Sequence, residues 1–125
     1  MQPIRILLVE DNDVYRSSLE LLLGLQAGVE VVGGVADGAE AADACAATSA
    51  DVVLMDFRLP GVDGAAATRA VLDRCPGVAV VCLTAEATEA EDEAVRAAGA
   101  AALVRKGGAI EELVEAVRAA TEARR

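Results

Sequence analysis

Two rhythms of apolar residues alternate along the chain. Ile4–Val9, broken only by Arg5, and Val29–Val35, Val52–Met55, Val78–Leu83 and Ala101–Val104 are short apolar runs, the signature of strands buried on both faces. Between them, apolar residues recur every three or four positions. Leu19, Leu22 and Leu23 fall at i, i+3 and i+4 within a helix expected from Val14 to Leu25, entered at Glu10-Asp11-Asn12-Asp13 and left at Gly24 or Gly28. An alanine-rich helix is expected over Ala39–Ala47. Another runs from about Ala65 to Arg74, with Asp63 as its cap, Val71 and Leu72 turned inward, and Pro76-Gly77 as its stop. The last helix has the clearest stripe, with Ile110, Leu113, Val114 and Val117 at i, i+3, i+4 and i+7, and the charged tail Thr121–Arg125 is expected to fray. By contrast, the helix expected over Glu86–Ala98 has Val95 as its one large apolar residue. Its acids read as a solvated face, Gly99 closes it, and it is expected to be the least firmly anchored element.

Strand and helix alternate five times, which predicts an α/β doubly wound parallel sheet with helices on both faces. The 125 residues form one domain, 1–125, with no internal repeat. Composition narrows the functions available. A net charge of −10 argues against unassisted binding to nucleic acid or anionic membranes. Cys45, Cys75 and Cys82 show no metal-ligand spacing and sit in apolar or alanine-rich segments, so they read as reduced, buried thiols; without histidine a zinc site is not expected. No run approaches the roughly 18 apolar residues of a membrane span, and the expected location is cytoplasmic.

The candidate chemistry lies where the strands end. Glu10 and Asp11 follow the first strand, Asp56 ends the third, Thr84 the fourth, and Lys106 follows the fifth. In an open parallel sheet the carboxyl ends of the strands share one crevice. Two carboxylates about 4 Å apart repel by roughly 4 kcal/mol at an effective dielectric near 20, so a positive partner is required. A magnesium ion with oxygen ligands meets that need, Lys106 offers a point charge to a phosphate oxygen, and Thr84 can donate a hydrogen bond to another. The set suits in-line attack of one carboxylate, Asp56, on a phosphoryl group. The turn Glu10-Asp11-Asn12-Asp13 has no glycine-rich cradle, which argues against a dinucleotide site.

The acidic pair Glu10-Asp11, Asp56 within Met-Asp-Phe-Arg-Leu-Pro-Gly-Val-Asp-Gly, Thr84-Ala85, and Lys106 after Ala98-Gly99-Ala100 together resemble the receiver domain of two-component response regulators over essentially the whole chain. The loop wording is similar to receivers coupled to helix-turn-helix transcription factors. The resemblance implies a flavodoxin-like (βα)5 fold with strand order 2-1-3-4-5. It implies that Asp56 accepts a phosphoryl group from a sensor histidine kinase, that Thr84, Ala85 and Lys106 bind the phosphate, and that Mg2+ is held by Glu10, Asp11, Asp56 and the backbone carbonyl of Arg58. The domain would be no enzyme beyond self-catalysed transfer to Asp56 and autodephosphorylation. DNA would be reached through a fused output domain, with homodimerisation on phosphorylation and no membrane partner. Two departures stand out: Leu103 occupies the position where the family usually has Tyr or Phe, and Gly107 the usual proline. The alternatives are a phosphorylation-independent, pseudo-receiver interaction module and a phosphohydrolase. The second lacks the expected second aspartate, because Arg58 stands two positions after Asp56.

Overall fold

The structure, a computed structural model, describes residues 2–124. In chain order the elements are β1 (Ile4–Val9), α1 (Asp13–Gly24), β2 (Val29–Val35), a 3-10 turn (Gly38–Glu40), α2 (Ala41–Thr48), β3 (Val52–Asp56), α3 (Gly64–Arg74), β4 (Ala79–Thr84), α4 (Glu89–Ala97), β5 (Ala102–Arg105) and α5 (Ile110–Ala123). All strand pairs are parallel, in the order β2-β1-β3-β4-β5. This is the expected doubly wound fold, and it places the ends of β1, β3 and β4 side by side.

Alternation along the three central strands feeds two cores. Ile6, Leu8, Val52, Leu54, Val81 and Leu83 pack with Leu19, Leu23, Leu113, Val114 and Val117 under α1 and α5. Leu7, Val9, Val53, Met55, Val80 and Cys82 pack with Ala41, Cys45, Ala67, Val71 and Val95 under α2, α3 and α4. A shift of register between Ile6 and Leu7 redirects β2, so that Val31 serves the first core and Val35 the second. Among the described residues, no helix is long and apolar enough to cross a membrane.

Several local expectations need correction. Helix α1 buries Leu19 and Leu23, but Leu22 is 44% exposed. The fourth helix begins at Glu89, three residues later than expected, because Thr88 is extended and its hydroxyl accepts from Glu91 N. Helix α5 continues through Ala123 where fraying was expected, while Arg125 lies outside the described residues. Cys45 and Cys82 are buried thiols, whereas Cys75, at the end of α3, is half-buried. The acidic run of α4 is not uniformly solvated, since Glu91 is only 7% exposed.

Candidate functional site

The crevice begins at Glu10, one residue past β1. Its backbone N–H donates to Val35 O, and its carbonyl accepts from the Arg16 guanidinium at 2.6 Å, so both of its peptide groups are held. Its buried carboxylate accepts from Asn12 N, while the Asn12 side chain caps α1 by accepting from Tyr15 N. Beside it, Asp56 ends β3 with only 4% of its surface exposed. The loop that follows bends tightly. Phe57 N donates to Leu83 O, Arg58 N donates to the Asp56 carboxylate at 3.2 Å, and Gly64 N returns to Phe57 O. Only glycine fits at 64, because a Cβ there would lie 2.5 Å from the Asp56 carbonyl oxygen and 2.6 Å from Phe57 Cα. The N-terminus of α3 is thereby drawn against the Asp56 loop.

Lys106 closes the crevice from β5. Its backbone N–H donates to Thr84 O, and its Nζ lies 2.6 Å from Glu10 Oε1, 3.2 Å from Asp56 Oδ1 and 4.8 Å from the centre of the Tyr15 ring. One ammonium thus bridges two buried carboxylates, and the ring covers it. One positive charge does not balance them. Burial, reinforced by Glu10, pushes the Asp56 carboxyl up to about 6. Burial alone would lower Lys106, but Glu10 and Asp56 outweigh it and raise its pKa above the ordinary lysine value.

Carboxylate oxygens of Glu10, Asp11 and Asp56 lie within 4.8 Å of one another, Asp11 being exposed at the mouth. Three oxygen donors around one open point, two of them buried and short of positive charge, fit a hard divalent cation. In chemical terms the crevice gathers a buried carboxylate, a metal-sized acidic triad and an ammonium.

The structure therefore brings together four of the residues expected at the site, Glu10, Asp11, Asp56 and Lys106. Thr84 stands differently. It is buried at the end of β4, but its hydroxyl donates at 2.6 Å to Glu91 Oε1 of α4, with Glu86 O at 3.2 Å. Glu91 Oε2 in turn accepts from the Arg58 guanidinium at 2.9 Å. Ala85 is exposed at the lip, and Leu103 is half-buried against the α4-side core. Tyr15, Arg16 and Glu91 are participants that the sequence reading missed. Glu91 did carry a signal, because Thr88-Glu89-Ala90-Glu91 has the spacing of a capping box.

The sequence profile of the response regulator receiver domain matches residues 6–118. The chain belongs to this family. Among curated relatives, response regulator UvrY of Escherichia coli (strain K12) is 36% identical over 115 residues, which is 92% of this chain and 53% of the relative. Response regulator GacA of Pseudomonas aeruginosa is 35% identical over 115 residues, 92% of this chain and 54% of the relative. The chain spans about half the length of the curated relatives it matches. A two-component response regulator of the LuxR family from Aurantimonas sp. SI85-9A1 superimposes with a TM-score of 0.91 at 32% identity, covering 99% of this chain and 89% of that one. The receiver domain of sensor histidine kinase PA1611 from Pseudomonas aeruginosa PAO1, whose structure has a magnesium ion coordinated in the active site cleft, gives a TM-score of 0.83 at 33% identity, covering 96% and 98%. The receiver fold and two-component class expected from the motifs both hold.

Proposed function

We propose that this receiver is a phospho-accepting switch in which Asp56 is the acceptor. The observation that carries the reading is the meeting of Glu10, Asp11, Asp56 and Lys106 at the ends of three strands, with Lys106 Nζ 3.2 Å from the Asp56 carboxylate. The Asp56 oxygen attacks the phosphorus of a partner kinase's phosphohistidine. A P–O bond forms as the P–N bond breaks, and the imidazole leaves with its electron pair and is protonated. Lys106 turns from Asp56 to a phosphoryl oxygen, and Thr84 supplies a second donor.

Mg2+ would be held by Glu10, Asp11, Asp56 and the Arg58 carbonyl; when bound it neutralises the carboxylates and the transferring oxygens. The PA1611 receiver, with magnesium in its cleft, supports this choice of ion. The kinase partner would dock on α1, which leaves the crevice beside Asp11 and exposes Val14 at 78% and Leu25 at 75%. A transcriptional output through a fused DNA-binding domain suits the response regulators among the relatives, and the net charge of −10 assigns DNA contact to residues outside this chain.

Intact-protein mass after incubation with acetyl phosphate, with and without Mg2+, tests the reading. A single Mg2+-dependent phosphoryl adduct absent from Asp56→Asn is expected. Folded wild-type protein that takes up no phosphoryl group would instead favour the pseudo-receiver module, for which Leu103 at the usual aromatic position is the specific observation.

A further inference from the structure

Helix α4 is tied to the crevice by a carboxylate rather than by apolar packing. Glu91 occupies the third position of the helix, where a capping-box glutamate ordinarily reaches back to the backbone N–H of the cap residue. Here only half of the box forms: Glu91 N donates to Thr88 Oγ1, while the Glu91 side chain turns inward. One oxygen takes the Thr84 proton at 2.6 Å, and the other takes Arg58 Nη2 at 2.9 Å. The buried carboxylate thus joins α4 both to the residue after β4 that would bind phosphate and to the loop that begins at Asp56.

We propose that Glu91 is a positioning residue that holds Thr84 in the unphosphorylated orientation and makes the position of α4 depend on Thr84. This rests on the reading of Asp56 as phosphoacceptor. A threonine hydroxyl has one proton, and a proton given to Glu91 is not available to a phosphoryl oxygen on Asp56. When Thr84 turns to the phosphoryl group, Glu91 retains only Arg58, whose side chain is 72% exposed and holds an ion pair weakened by solvent. A carboxylate as buried as Glu91 does not stay without its donor, so the first turn of α4 moves to let it reach water. Leu103 offers no polar group to relay the motion of Thr84 and packs only against the core beneath α4. The hydrogen bond through Glu91 supplies a relay of different chemistry on the same side of the sheet.

A double-mutant cycle on beryllofluoride binding in the presence of Mg2+ tests the proposal, with the full chain carrying Glu91→Gln, Thr84→Ala or both. Removing the charged competitor for the Thr84 proton is expected to tighten beryllofluoride binding by about three- to tenfold, the equivalent of one charge-assisted hydrogen bond. Thr84→Ala is expected to weaken binding, and Glu91→Gln added to it to give no further gain. Glu91→Ala, which keeps no acceptor at all, is expected to tighten binding at least as much and to shift the Thr84 methyl resonance toward its beryllofluoride-bound position before any ligand is added. Unchanged affinity in both Glu91 variants, or a gain that survives in the Thr84→Ala background, would overturn the role assigned to Glu91 and leave the phosphoacceptor reading intact. Absence of any wild-type adduct would overturn that reading and this proposal with it.

Discussion

Helices α4 and α5 flank the same edge of the sheet and are held there by opposite means. Helix α5 sinks Leu113, Val114, Val117 and Ala120 into the core beneath it. Helix α4 buries Val95 and the carboxylate of Glu91. Apolar burial is non-directional and indifferent to what occupies the crevice. A hydrogen bond from Thr84 is directional, and the crevice can withdraw it. The contrast teaches which helix the site can move: the poor apolar stripe of α4 makes its placement conditional, while α5 remains part of the frame.

The largest effect expected of a single change lies in α5. Leu113→Ala should cost about 2–4 kcal/mol in urea unfolding, through lost burial and the cavity left behind, while the adduct formed per folded molecule stays the same. A smaller loss than that of the corresponding change in α4 would break the contrast.

The crevice between the helices comes next. The folded Asp56 carboxyl titrates at about 6, above the roughly 3.9 of an unfolded chain. Its stabilising contribution is therefore complete below pH about 4 and is lost as the pH rises through about 6. Asp56→Asn should raise stability at pH 7.5 by on the order of 2 kcal/mol and flatten the acid-side rise in melting temperature. Mg2+ should stabilise the wild type more than the variant, which lacks one of the three carboxylates. Equal responses to Mg2+ in calorimetric scans would remove Asp56 from the metal site.

Val95→Ala should cost about 1–2 kcal/mol, with faster amide exchange confined to residues near α4. Glu91→Gln is expected to change global stability least, by under about 1 kcal/mol, because a partly exposed ion pair and one hydrogen bond are weakened rather than a cavity opened. Its mark should be local, in α4 amide exchange.

The sheet is legible in the sequence because each central strand alternates between two cores and so has to be apolar at every position, as Val52–Met55 is. The meeting of Glu10, Asp11, Asp56 and Lys106 is legible because topology alone carries strand ends to one side. Contacts that depend on partners far along the chain are not. Glu91 lies 33 residues from Arg58, and its own helix shows only a capping spacing and an acidic face. Leu22 fits the apolar repeat of α1 as well as Leu23 does, yet the helix rolls to bury Leu19 and Leu23, because periodicity fixes a face only to within a residue. Tyr15 reads as another residue of α1 until Lys106, 91 positions later, arrives over its ring.

Hydrogen exchange measured by mass spectrometry on the full chain, with Mg2+ alone and with Mg2+ plus beryllofluoride, tests most directly whether the crevice controls α4 and spares α5. The account predicts faster exchange across residues 86–97 when beryllofluoride is bound, with α5 unchanged. A response of α5 equal to or larger than that of α4 would contradict it.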